Sequence, residues 1–145
     1  MIRAVLDANV FVSAILNPHG SPARIVRAWR GGWFELVVSA PILTEIARVL
    51  RYPKIQRRHR WSEQQINTFL EDLSHLAIVA APEQSLNVVA DDPADNRYLE
   101  CALAAGAEWL VSGDQHLLGL EAYETVSILS PAQFVELLES HPQRN

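Results

Sequence analysis

IRAVLDANVFVSAIL, residues 2–16, decides how the rest of the chain is read. The run from Ile2 to Leu6 is short and apolar, as in a strand covered on both faces, and it stops at an acid, Asp7. The next residues are apolar at helical spacing, so the chain turns from strand to helix at Asp7. Comparable runs recur as FELVV (34–38), LAIVA (76–80), EWLVS (108–112) and VSIL (126–129), with helical patterns between them. That alternation predicts an α/β fold in three layers, a central mostly parallel sheet flanked by helices.

The reading places strands at 2–6, 34–38, 76–80, 108–111 and 126–129, and helices at 9–16, 21–31, 41–51, 62–74, 93–105 and 131–139. Ser62 with Gln65 and Ser130 with Gln133 have capping-box spacing, and Ser21-Pro22, Ala40-Pro41 and Asp92-Pro93 put proline at the start of helices. Gly106 is expected to end the helix begun at Asp92 in a left-handed cap. Residues 52–61 read as a charged hinge and 80–91 as a connecting loop, and no linker or repeat divides the chain. One domain spanning 1–145 is expected.

With 49% hydrophobic residues in 145, the chain has enough apolar side chains for a proper core, and no apolar run approaches the ~20 residues needed to cross a bilayer. The single cysteine, Cys101, excludes an intrachain disulfide or thiolate zinc site and reads as core packing. MIRAVLDANVF enters a strand at once without the apolar region of a signal peptide, so a cytoplasmic location is expected.

The net charge of −5 hides an asymmetry. Residues 1–72 carry ten Lys and Arg against six Asp and Glu, whereas residues 73–145 carry two against eleven. Nine of the basic residues lie between Arg24 and Arg60, and Arg51, Lys54, Arg57, Arg58 and Arg60 form the densest group, followed by Trp61. This segment reads either as a phosphate-binding surface or as a solvated face and loop; Trp61 reads as a base-stacking platform or as a partly buried anchor.

Four acids are candidates for a common site: Asp7, Glu45 in APILTEIARVL, Asp95 in DDPADNRYLECAL, and Asp114 in WLVSGDQHLL. Strand ends and helix starts bring distant residues together beyond the carboxyl edge of such a sheet. Each acid has a plainer reading. Asp7 can cap the next helix, Glu45 can favour a helix dipole, and Asp92 and Asp95 have capping-box spacing. Gly113 reads as a tight turn that lets backbone approach a ligand, and His116 as an exposed residue or a metal ligand. Taken together, carboxylates of this kind suit Mg²⁺ or Mn²⁺, ions that activate water and neutralise a phosphodiester. Asn9 is a candidate donor that orients Asp7 or a bound water.

Over essentially its whole length the chain resembles the PIN-domain family, small metal-dependent ribonucleases that include VapC-like toxins of toxin–antitoxin pairs. The carriers are LDANVFVSAIL, VVSAPILTEIARVLRYPKI, DDPADNRYLECALAAGA and WLVSGDQHLL. The resemblance implies a three-layer PIN-like fold. It also implies an acidic quartet, Asp7, Glu45, Asp95 and Asp114, holding Mg²⁺ or Mn²⁺, with Asn9, Asn96 and Ser112 as supporting residues. RNA as substrate, a cognate antitoxin protein and a homodimer follow from it too. Relatives often carry an acid where this chain has His116, which bears on the number and kind of metal ions.

Two other function classes compete. Asp7-Ala8-Asn9 after a strand imitates the nucleophile loop of aspartyl-phosphate phosphatases, but no lysine follows Lys54 to neutralise a phosphoaspartate. A catalytically silent PIN-fold binding module, acting through dimerisation or a partner, is the second. The intact quartet argues against it.

Overall fold

A computed structural model describes residues 1–83, 85–89 and 95–141. Strands β1 (Arg3–Leu6), β2 (Glu35–Ser39), β3 (Ile78–Ala80), β4 (Trp109–Val111), β5 (Ala122–Tyr123) and β6 (Val126–Leu129) form one sheet in the order β3-β2-β1-β4-β6-β5. All neighbours run parallel except β5 and β6. Helices α1 (Ala8–Leu16), α2 (Ser21–Arg30), α3 (Ala40–Leu50), α4 (Pro53–His59), α5 (Glu63–Leu76), α6 (Asp95–Ala105), α7 (Gln115–Leu120) and α8 (Pro131–Ser140) flank it.

β1 lies at the centre because its residues tolerate cover on both faces: Ala4, Val5 and Leu6 are all buried, as are Leu36, Val37, Val38, Leu110 and Val111 on the strands beside it. Helix α6 touches β1, β2, β3, β4 and β6; α1 packs on α2 and α3, α2 on α8, and α3 on α5. From β1 the chain moves to β2 on one side, while β4 adds on the other. The carboxyl ends of β1 and β4 therefore bound the point where strand order reverses, the place where open sheets bind ligands.

Both capping boxes form, with Gln65 N–H donating to Ser62 Oγ at 3.1 Å and Gln133 N–H to Ser130 Oγ at 3.2 Å, and with the reciprocal glutamine bonds made. Gly106, at φ +66°, ends α6 in a Schellman arrangement, Ala107 N–H reaching Ala102 O at 2.8 Å. The helix start expected at Asp92-Pro93 lies outside the described residues.

Three elements differ from the sequence reading. The expected hinge at 52–61 contains α4, which buries no residue and so carries no apolar periodicity to betray it. Helix α7 is a six-residue turn defined by its Asp114 cap, and β5 is two residues long, joined to β6 across Glu124, a left-handed residue at φ +52° with none of the usual Asn-Gly signal. Gly113 has neither a positive φ nor a neighbour within 4 Å of an added Cβ, so neither the turn geometry nor close packing in the chain requires glycine there.

Phe34 and Phe134 meet edge to face at 5.1 Å, tying α8 to the chain entering β2, and both are buried. Phe134→Ala is expected to cost about 3–5 kcal/mol in urea unfolding. Ser62→Ala, which removes a surface cap, is expected to cost about 1 kcal/mol.

Candidate metal centre

Asp7 is the first residue past β1, and its carboxylate is 3% exposed. Its Oδ1 accepts from Asn9 N–H at 3.0 Å, capping α1, and its Oδ2 accepts from Ser112 Oγ at 2.7 Å. The Ser112 hydroxyl in turn accepts from Asp114 N–H at 2.9 Å, so one buried serine links the ends of β1 and β4. Asp114 caps α7, Oδ1 accepting from His116 N–H at 2.8 Å and Leu117 N–H at 3.3 Å.

The other two acids come from α6 and α3. Asp95 is buried at the first described turn of α6. Glu45 lies on α3 and accepts from Arg48 Nε at 2.8 Å; the same guanidinium bonds Tyr52 and sits over its ring, 5.1 Å from the centroid. A cavity of about 330 Å³ is lined by all four carboxylates together with Asn9, Arg48, Tyr52, Ile55 and Tyr98. Among the described residues, two of these lining acids, Asp95 and Asp114, and the neighbouring His116 offer ligand atoms within 4.8 Å of one another.

Burial raises the Asp7 carboxyl above its ordinary range, and the charge of Asp114 adds to that rise; the bonds from Asn9, Ser112 and Tyr98 oppose it. Tyr98 is likewise pushed up, by burial first and then by the charges of Asp7 and Glu45, while its hydroxyl accepts from Ala8 N–H at 3.2 Å. Cys101 is buried in α6 and pushed up to about 12, an inert core thiol. Four carboxylates converging on one cavity, two of them buried, make a set of hard oxygen donors whose mutual repulsion a divalent cation would relieve.

The expected supporting residues divide. Asn9 lines the cavity, but its backbone N–H, not its side chain, bonds Asp7. Ser112 bonds Asp7 directly. Asn96 is buried with its amide on the chain at 88–89, accepting from Val88 N–H and Val89 N–H, both at 2.8 Å, and donating to Val89 O at 3.0 Å. It anchors the segment that leads toward Asp95.

The basic residues lie beside the cavity, not in it. Arg51 is engaged by Glu63 at 3.0 Å and Asn67 at 3.0 Å, whereas Lys54, Arg57, Arg58 and Arg60 form no ion pair among the described residues. Tyr52 and Ile55 place the start of α4 at the cavity rim, so this basic helix flanks the acids. Trp61 packs edge to face on Phe69 at 5.6 Å, an anchor and not a free stacking platform; Trp29 and Phe69 are core. Arg48, Tyr52 and Tyr98 were not singled out from sequence. The signal for two of them was there: Arg48 and Tyr98 stand three residues after Glu45 and Asp95, on the same helix faces.

An α/β sheet carrying an acidic cavity at its strand-order reversal is the architecture of a small nuclease-type domain. The PIN domain matches residues 3–116, from β1 into the first turn of α7, and the chain belongs to that family. PIN domains are generally nucleases and usually use divalent metals. The chain is also similar to uncharacterized protein MJ1680 of Methanocaldococcus jannaschii, 28% identical over 146 residues covering 95% of this chain and 92% of the relative. Among the described residues, no helix is long and apolar enough to cross a membrane.

Because the Asp7 carboxyl holds its proton more tightly when folded, its contribution to stability is present below the ordinary range near 3.8 and is lost as pH rises through the higher folded value. In EDTA at neutral pH, Asp7→Asn is therefore expected to melt at or above the temperature of the parent, and the gap should close as pH falls; Mn²⁺ should stabilise the parent more than the variant. Tyr98→Phe leaves Ala8 N–H without its phenol partner and is expected to cost about 1–3 kcal/mol by urea unfolding.

Proposed function

We propose that this chain is a metal-dependent endoribonuclease in which Asp7, Glu45, Asp95 and Asp114 hold Mg²⁺ or Mn²⁺, with Ser112 and Asn9 supporting the site. The observation that carries the reading is the convergence of the four acids on one cavity where the ends of β1 and β4 meet. A divalent ion held there would supply an activated water and neutralise charge on the scissile phosphate. The chain's own part is positional. Ser112 and the start of α1 hold Asp7 in one orientation, and the α7 N-terminus does the same for Asp114. Lys54, Arg57, Arg58 and Arg60, with Arg51 once Glu63 releases it, are proposed to carry the RNA backbone along the rim, because α4 borders the cavity through Tyr52 and Ile55. An exposed pair such as Arg51–Glu63 is worth only about 0–1 kcal/mol and opposes that use weakly.

The likeness to VapC-like toxin components supports the rest of the reading: a single cytoplasmic nuclease domain over residues 1–145, working as a homodimer and silenced by a cognate antitoxin. Light scattering tests the dimer.

The deciding experiment is cleavage of a mixed RNA pool in EDTA, Mg²⁺ or Mn²⁺ by the parent, Asp7→Asn and Asp95→Asn. Cutting is expected only with a divalent ion and is expected to fall at least ~100-fold in each variant while the fold persists by circular dichroism. A folded parent that binds no divalent ion would end the nuclease reading and leave the binding module.

A further inference from the structure

His116 is the one nitrogen donor in a group of potential metal ligands that converges among the described residues, the trio Asp95, Asp114 and His116 within 4.8 Å. Its place follows from the local fold. Asp114 caps α7 by accepting the His116 N–H, which sets the imidazole beside the carboxylate that fixes its backbone. His116 Nδ1 stands 3.6 Å from Asp114 Oδ1, longer than a good hydrogen bond. Donors ~2.1 Å from one ion at octahedral or tetrahedral angles are separated by about 3.0–3.4 Å, so a small rotation of the half-exposed ring brings the pair to that spacing.

We propose that His116 is a direct nitrogen ligand of the ion at this centre, sharing it with Asp95 and Asp114, and that it makes the centre select Mn²⁺ and heavier first-row transition ions over Mg²⁺. This rests on the metal-dependent reading above and adds to it the identity of the ion. The chemistry is general. A site built only of carboxylates offers hard oxygen to either ion, and Mg²⁺ keeps its waters and takes oxygen almost exclusively. An imidazole nitrogen is a softer donor that transition ions accept readily, with affinity rising from Mn²⁺ through the first row. Replacing one oxygen donor by nitrogen therefore penalises Mg²⁺ specifically. The competing account, that His116 is only a surface partner of Asp114, leaves metal selectivity independent of residue 116.

The test is pulsed EPR of the full chain loaded with Mn²⁺, combined with displacement of that Mn²⁺ by Mg²⁺, for the parent, His116→Ala and His116→Asp. The parent is expected to show ¹⁴N modulation from a directly bound imidazole, absent from both variants. The Mg²⁺ concentration that displaces half the Mn²⁺ is expected to fall about 10-fold in His116→Asp, where an oxygen donor returns. Residue 116 is exposed, and equal melting temperatures in EDTA confirm that the variants fold. Mn²⁺ bound to the parent without ¹⁴N modulation, and with the same Mg²⁺ competition in all three proteins, would overturn the role of His116 while leaving the metal centre standing. Failure of the parent to bind Mn²⁺ or Mg²⁺ at all would remove both.

Discussion

The structure depends on where one buried charge is put. Asp7 sits at the end of the central strand with almost no solvent, and a carboxylate there is tolerated only if its lone pairs are satisfied. Two different elements do this. The first turn of α1 supplies a backbone N–H, and the end of β4 supplies the Ser112 hydroxyl. The second bond exists because β1 and β4 pair with Leu6 opposite Val111, which sets the residues following them side by side. A slip of one residue in that register would turn Ser112 away and leave the acid uncompensated, so the polar edge and the apolar strands specify the same alignment. Hydrogen bonds nevertheless leave Asp7 raised in pKa, a residual cost that a cation would offset.

The remaining walls of the cavity are attached to that edge by side-chain hydrogen bonds. Asn96 holds the chain at 88–89, and Glu100, also buried, accepts from Leu86 N–H at 2.7 Å, so one face of α6 fixes the approach to Asp95. Tyr98 crosses from the same helix to Ala8 and Asp7, joining the Asp95 wall to the Asp7 wall. On the other side Arg48 offsets the charge of Glu45 from within its own helix. The four acids thus differ in what holds them, although they share one cavity.

The strand runs and capping boxes were legible from the sequence because each is a local pattern with a strong physical cause: near-complete burial for β1 and β2, a reciprocal pair of hydrogen bonds for Ser62 and Ser130. The elements that escaped are those stabilised without such a pattern. α4 buries nothing, α7 is shorter than two turns, and β5 borrows its form from β6. At the site, the acids following β1 and β4 could be placed at a sheet edge from spacing alone. Asn96 could not be assigned its loop, nor Arg48 its acid, because those partners are set by how α6 and α3 face neighbouring segments. Asp95 stayed open between cap and ligand: Asp92-Pro93 lies outside the described residues, and burial of Asp95 beside the cavity is a tertiary fact.

The net charge of −5 would argue against a polyanionic substrate if charge acted as a sum. It does not, because at physiological ionic strength exposed charges more than ~8 Å apart are largely screened from one another, and local arrangement decides. In this fold the acidic surplus of the second half supplies Asp95 and Asp114 to the cavity, while the basic surplus of the first half supplies α4 at its rim. For the nuclease reading that division is useful, since affinity along the strand and charge compensation at a single phosphate call for opposite signs within one contact surface. On that reading a cation would reconcile them at the point of contact. Its absence would leave the bound strand held at the rim but repelled from the acids, so binding and cleavage need not share the same dependence on metal.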